Sequence, residues 1–321
     1  EWLWFIEHEI RPLVPMVYYH VWDNYPPPTY NRPYYLSNDF VACISKVTHD
    51  VVQEVAPEVD SKYVPHAVDT NIFSIYSKEK IDELRKKSFG ENDDKVTFFW
   101  NNRNARRKQS GSVAWWFNEF ANEVGRDKVR LIMHTNPDDQ HGQPLHFLIQ
   151  EMGADDGVIL LSTEKVPPSN LADIYNICDC TINIADAEGF GLSTLESLSC
   201  GTPILVNMTG GLQEQVTDGE EWYGIGIDPA AKSIIGSQQV PYICEDRVSR
   251  DDFVSALHDM YNLSKEKRLE LGRKGRGHVL KNYNFDNYCQ GWVDLMLDIH
   301  EKHGSWDTRK NYTNWQIKEV I

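Results

Sequence analysis

TINIADAEGFGLSTLESLSCG (Thr181–Gly201) is the stretch that decides how the rest of the chain is read. It opens as a short alternating apolar strand, Thr181 to Ala185, and passes into a helical pattern beginning near Leu192. Between the two lies the turn Glu188-Gly189-Phe190-Gly191, whose two glycines remove side-chain bulk just before the helix starts. Backbone N–H groups at a helix start lack intrahelical partners, and the helix dipole makes that end favourable toward anions such as phosphate. Glu188 on the turn and Glu196 in the helix are eight residues apart, so both can face one mouth.

A purely local reading competes with this one. Ser193 followed three residues later by Glu196 fits a capping box, which would account for Glu196 without a ligand. Gly201 followed by Pro203 is an ordinary helix stop.

The wider text, EGFGLSTLESLSCGTPILV and then TGGLQEQV, resembles the Glu-x7-Glu signature of the retaining GT-B glycosyltransferases. The Glu pair, the Gly-Phe-Gly, the Gly-x-Pro and the Gly210-Gly211…Glu214 loop come in that family's order. The resemblance implies an α/β protein of GT-B type, with two Rossmann-like domains built on parallel sheets.

Composition sets outer bounds. The 321 residues suffice for two medium domains, and the formal net charge of −16 argues against nucleic acid or an anionic membrane as a broad partner surface. It leaves room for a small anionic ligand held by local cations. Cys43, Cys178, Cys180, Cys200, Cys244 and Cys289 are scattered, and Cys178-x-Cys180 is too tight for an ordinary zinc pair, so they read as reduced thiols of a cytoplasmic protein. No apolar run approaches the ~20 residues of a transmembrane segment. Sequons at Asn207, Asn262 and Asn311 are expected by chance at this length.

Along the chain, Pro15 to His20 reads as a buried strand, followed by a Pro-rich turn. Phe40 to Ser45 is a strand, Lys46 to Val55 a helix and Ser61 to Val64 a strand. These match the closing units of the family's first domain (1–75), and its opening strands have no counterpart, so this domain reads as incomplete, through truncation or because a second chain supplies the remainder. Residues 76–95 read as a helix plus linker. From Val96 a regular alternation begins: strands at Val96–Trp100, Val129–His134, Val158–Ser162, Thr181–Ala185 and Pro203–Asn207, with helices between them. Such alternation implies a parallel sheet covered on both faces, with ligands beyond the carboxyl ends of its strands. The segment from Thr209 to Arg250 reads as irregular, and helices follow at 251–263, 265–283 and 285–303. The second domain thus spans 96–300, and a helical tail at 301–321 could cross back to the first.

The loop Asn101-Asn-Arg-Asn-Ala-Arg-Arg-Lys108 places four cations after the first of these strands. Alone it would read as a solvated basic loop. The resemblance implies that an Arg and a Lys here hold the donor diphosphate; Arg103 and Lys108 match best by position, with Arg106 and Arg107 as rivals. It further implies that Glu196 meets the ribose, that Glu188 faces the donor sugar, and that Gly189, Phe190, Gly191, Leu192 and Ser193 line the sugar and phosphates. His20 would approach the sugar from the first domain. No metal or other cofactor is expected, since cations and helix N–H groups would take the charge of the departing diphosphate, and no carboxylate nucleophile is implied.

The resulting expectation is a retaining, metal-independent transferase that moves a hexose from a nucleotide-diphosphate sugar to a glycan or other hydroxyl acceptor. Two rivals stand beside it: a non-catalytic nucleotide-sugar-binding subunit and a nucleotide-sugar epimerase of the same fold. A dinucleotide oxidoreductase is disfavoured because no G-x-G-x-x-G follows a strand.

Overall fold

A computed structural model describes residues 2–313. Two short helices, α1 (Trp2–Phe5) and α2 (Glu7–Ile10), precede β1 (Val17–His20). Helix α3 (Arg32–Leu36), β2 (Phe40–Cys43), α4 (Lys46–Val55) and β3 (Ser61–Tyr63) complete the first unit, a parallel sheet in the order β1-β2-β3. Helix α4 forms for readable reasons. Ser45 caps it by accepting the Thr48 N–H at 3.1 Å, and Thr48, Val51, Val52 and Val55 make one buried stripe at helical spacing.

The second unit alternates α5 (Lys78–Phe89), β4 (Val96–Asn101), α6 (Ser110–Val124), β5 (Val129–His134), α7 (Leu145–Glu151), β6 (Ile159–Ser162), α8 (Pro168–Ile177), β7 (Cys180–Asn183), α9 (Leu192–Ser199) and β8 (Ile204–Asn207). It continues through α10 (Gln213–Val216), β9 (Gly224–Ile227), a hairpin of β10 (Ala231–Ile235) and β11 (Ile243–Arg247), α11 (Arg250–Asn262), α12 (Lys265–Asn282) and α13 (Phe285–His303). Its six parallel strands run in the order β6-β5-β4-β7-β8-β9, so the order in which strands are added reverses sense between β4 and β7. Phe98 and Trp100 enter one hydrophobic cluster with Phe117, Phe120 and Phe253, while Phe99 between them enters another with Tyr175, Leu195 and Leu198. This period-two split is what a sheet covered on both faces requires.

The stretch at 76–95 is not free of the second unit: Arg85 on α5 donates Nη1 to the Ile177 carbonyl at 2.7 Å and Nη2 to the Lys95 carbonyl at 2.9 Å. Helix α13 runs back to the first unit, where Leu295 and Ile299 pack with Ala42 and Val64. Arg309 then ties the following segment down by donating to Asp39 Oδ1 at 2.9 Å.

Two expectations need correction. The segment from Thr209 to Arg250 is not irregular; it holds α10, the edge strand β9 and the β10–β11 hairpin. Strand β9 reads GIGI because a Cβ on Gly224 would lie 1.9 Å from the Ile204 carbonyl oxygen, and glycine at that position hides the strand pattern. Beyond Trp306 no long helix is seen among the described residues, only one 3-10 turn at Trp306–Thr308; the rest of that expected helix, 314–321, lies outside them.

Helix α9, which carries the Thr181–Gly201 motif, is held from behind by α12. A Cβ on Gly272 would sit 1.8 Å from the Gly201 carbonyl oxygen, whereas Gly277, further along α12, has open space around it. Gly272→Ala should therefore lower unfolding stability by about 2–3 kcal/mol through overpacking. Gly277→Ala should raise it by about 0.5–1 kcal/mol through helix propensity. Urea denaturation of both variants checks this contrast, and equal effects would refute the close backbone contact.

Candidate active site

The reversal of strand order between β4 and β7 leaves a crevice beyond their carboxyl ends. A cleft of about 500 Å³ lies there, walled by the loop after β4, the Glu188–Gly191 turn, the start of α9 and residues of the first unit. Gly191, at φ +94°, is the N-cap residue of α9, and no side chain caps the helix. The first N–H groups of α9 thus face the cleft without a side-chain acceptor.

The proposed capping box is not formed. Glu196 Oε2 instead accepts the Tyr175 hydroxyl at 2.9 Å, and Asn101 Nδ2, at the end of β4, donates to that same hydroxyl at 2.8 Å. This relay crosses from β4 to α9 beneath the cleft. Burial pushes the Glu196 carboxyl up to about 7, only partly offset by the Tyr175 hydrogen bond. Glu196 and Asn101 both line the cleft, as do Gly189, Phe190, Gly191, Leu192 and Ser193. The Phe190 ring itself is buried in the core, so that residue offers its backbone to the cleft.

The four cations of the basic loop go to different places. Lys108, only 8% exposed, pairs through Nζ with Glu188 Oε2, and Asn183 Nδ2 approaches the same oxygen at 3.5 Å. Burial draws the Lys108 ammonium below its ordinary range, against the pull of Glu188. Arg107 donates Nη1 to the Ala187 carbonyl and lines the cleft. Arg103 reaches the rim, but its exposed guanidinium is engaged by Asp139, with Nε to Oδ2 at 2.7 Å, and by His141 Nδ1 at 2.7 Å. Arg106 turns away and forks onto Glu245 at 2.8 and 2.5 Å. Lys108 therefore sits in the cleft, paired with Glu188, Arg107 is the better-placed arginine, and Arg103 stands outside the innermost group.

His20 does not reach the cleft, contrary to expectation. Its ring is buried at 2% exposure, Nε2 shares a hydrogen bond with the Tyr35 hydroxyl at 2.8 Å, and Nδ1 has no partner. Burial pushes its imidazole down to about 4. The period-two geometry of β1 sends this side chain into the first unit's own aromatic packing. The cleft receives Val21, Asp23, Ile44 and His66 instead. Asp23 lies within the field of Arg107, Lys108 and Glu188, and burial outweighs the two cations so that its carboxyl is raised. His66 is held by ring stacking on Tyr288, with centroids 5.3 Å apart and planes 6° from parallel.

Sequence reasoning missed Asp23 and His66 as cleft residues. His66 lies just beyond β3, and no spacing in the sequence singles it out. Asp23 follows His20 by three residues, and only the fold shows which of the two turns inward. Glu214, expected in the loop beside the Glu pair, faces the joint between the units: its carboxylate accepts the Lys46 N–H at 2.7 Å and the Tyr63 hydroxyl at 2.6 Å.

Comparisons with known proteins bear on the family and the fold. Residues 124–278 match the family described as glycosyl transferases group 1. The chain is 35% identical over 177 residues to a D-inositol 3-phosphate glycosyltransferase of Acidothermus cellulolyticus, covering 54% of this chain and 34% of that protein. It is 28% identical over 191 residues to an alpha-monoglucosyldiacylglycerol synthase of Streptococcus pneumoniae, covering 58% and 42%. The chain thus spans about a third to two fifths of the length of these curated relatives. Among solved structures, sucrose-phosphate synthase from Thermosynechococcus elongatus superposes with a TM-score of 0.68 at 17% identity, over 85% of this chain and 61% of that one. HepE of Anabaena, solved with UDP and glucose, gives 0.66 at 14% identity, over 88% and 71%. Residues 124–278 are thus similar to the glycosyl transferases group 1 family, and the chain has an α/β scaffold of GT-B type.

Proposed function

We propose that this chain transfers a hexose from a nucleotide-diphosphate sugar to an acceptor hydroxyl, with retention of anomeric configuration and without a metal ion. The observation that carries the reading is the convergence of the uncapped α9 start, Lys108, Glu188 and Glu196 on one cleft at the reversal point of the sheet. A diphosphate placed at the α9 N–H groups would lie against Lys108 and Arg107, the fixed charges needed as the sugar–phosphate bond breaks and negative charge gathers on the leaving group. Glu196 accepts the ribose hydroxyls, and Glu188 and Asp23 face the sugar. The acceptor, a glycan or another hydroxyl compound, enters from the side of Val21 and His66. Retention rests on the resemblance of the Glu188–Glu196 pattern to retaining enzymes. HepE, whose structure holds UDP and glucose, supports a nucleotide-sugar donor here. Six unpaired cysteines fit a reducing, cytoplasmic setting.

The direct test incubates the protein with GDP-, UDP- and ADP-sugars in EDTA and follows nucleotide release with and without acceptor alcohols. One donor should turn over in chelator, and NMR of the product should show the donor's anomeric configuration. Release that depends strictly on a divalent ion, or an inverted product, would refute the corresponding part of the proposal. For binding, Lys108→Ala should weaken the nucleotide diphosphate by roughly tenfold or more, as expected for loss of a charged hydrogen bond. Arg103→Ala should cost less, because its guanidinium is exposed and already held by Asp139. A larger loss from Arg103→Ala would reverse the assignment.

Glu196 supplies a separate prediction with opposite signs for stability and binding. A carboxyl raised in the folded state contributes stability below its unfolded pKa and loses it as pH rises through the folded value, here about 7. Glu196→Gln should thus melt higher than the wild type at pH 8, by up to about 3 kcal/mol in free energy, with the difference shrinking by pH 5. At pH 8 the same variant should bind nucleotide diphosphate roughly ten- to a hundredfold more weakly. Thermal melts and calorimetric titrations of the two proteins read both effects; unaltered nucleotide affinity would remove Glu196 from the site.

A further inference from the structure

At the opposite, amino end of the same sheet lies a second cavity of about 270 Å³. Asp179 just before β7, Pro203 just before β8, the carboxyl ends of α8 and α9, and the facing sides of α5 and α12 enclose it. Its wall is apolar where Ile75, Ile81, Ile177 and Leu269 meet, and Ile75 and Leu269 remain 44% and 41% exposed at its mouth.

The charge of this cavity runs against that of the molecule. Five cations line it, Lys78, Arg85, Lys265, Arg268 and Arg273, against two carboxylates, Asp82 and Asp179, in a chain of net charge −16. Part of that excess has a structural purpose. Lys78 pairs with Asp82, and Arg85 pairs with Asp93 and donates to the Ile177 carbonyl. Arg276, behind the cavity, serves the Ser199 carbonyl at 2.6 Å, so the ends of α8 and α9 already have donors.

Of the remaining three, only Arg268 has structural partners among the described residues. Lys265 and Arg273 make no side-chain hydrogen bond or ion pair among the described residues. Arg268, only 8% exposed, spends Nη1 on the carbonyls of Met260, Tyr261 and Leu263 and leaves Nε without a hydrogen bond, 3.5 Å from Asp179 Oδ1. A buried guanidinium N–H without a hydrogen bond is costly even beside the Asp179 carboxylate, and the solvent-exposed Lys265 and Arg273 add positive charge next to the exposed apolar side chains.

We propose that this cavity binds a small organic anion, an acidic head on a short apolar chain, with the head at Arg268, Arg273 and Lys265 and the chain against Ile75, Ile81 and Leu269. Its volume is below the range of drug-sized pockets, which limits the guest to a short chain. The site is separate from the nucleotide cleft: the two share no lining residue.

The test titrates the whole chain with sodium octanoate and octyl phosphate by calorimetry, with octanol and inorganic phosphate as the chain-only and charge-only probes. Both anionic amphiphiles should bind saturably and more weakly as salt is raised, while octanol and inorganic phosphate should bind far less. Lys265→Gln/Arg273→Gln should weaken octanoate roughly tenfold or more, and Leu269→Trp, which fills the mouth, should abolish it. Nucleotide affinity, measured on each variant, should stay at the wild-type value and certifies that the fold is intact. Octanol binding as tightly as octanoate, or octanoate binding unchanged in the double variant, would overturn the proposal.

Discussion

Two glycine turns pack backbone against backbone at the centre of this molecule, and the cleft depends on that contact. A Cβ on Gly210 would lie 1.9 Å from the Glu188 carbonyl oxygen, and one on Gly211 would lie 2.7 Å from the Phe190 Cα. At this approach the Gly211 N–H donates to the Glu188 carbonyl at 2.9 Å. Gln215 locks the arrangement, donating Nε2 to the Phe190 carbonyl at 2.7 Å while its Oε1 accepts the Thr194 hydroxyl at 2.6 Å. The Glu188–Gly191 turn is therefore fixed by its neighbour before any ligand arrives, which is the preorganisation that electrostatic catalysis requires.

The same contact reaches the joint between the units. Glu214, in the short helix that follows Gly210-Gly211, ties α4 and β3 to the second unit through Lys46 and Tyr63, while His278 of α12 hydrogen-bonds the Glu214 carbonyl at 2.9 Å. Burial raises the Glu214 carboxyl, with Tyr63 and the Lys46 N–H acting in the other direction. One loop thus shapes the cleft on one side and seats the first unit on the other, so the position of Asp23 and His66 over Glu188 follows from backbone packing in the second unit.

Much of this was legible in sequence. Strand Val129–His134 and helices Lys46–Val55 and Phe285–His303 lie where their patterns put them, because buried parallel strands and amphipathic helices advertise themselves by period. The Glu188–Glu196 spacing did bring both carboxylates to one mouth. What was hidden depends on contacts distant in the chain. The Ser193–Glu196 cap does not form because α9 starts at Leu192 with Gly191 as its N-cap, and Glu196 instead meets Tyr175, twenty-one residues upstream. Arg103 was drawn off by Asp139 and Arg106 by Glu245, partners that no local spacing reveals. Strand β9 was concealed because its closeness to β8 demands glycine where a strand pattern would show a larger residue.

The proposed function requires the start of α9, Lys108 and Glu196 to form one nucleotide-diphosphate site. A crystal structure of the chain with a nucleotide diphosphate bound tests it most directly. Phosphate oxygens should lie within hydrogen-bonding distance of the Leu192 or Ser193 N–H and of Lys108 Nζ, with the ribose hydroxyls on Glu196. A nucleotide seated away from the cleft between β4 and β7, or one whose ribose leaves Glu196 bound only to Tyr175, would contradict it.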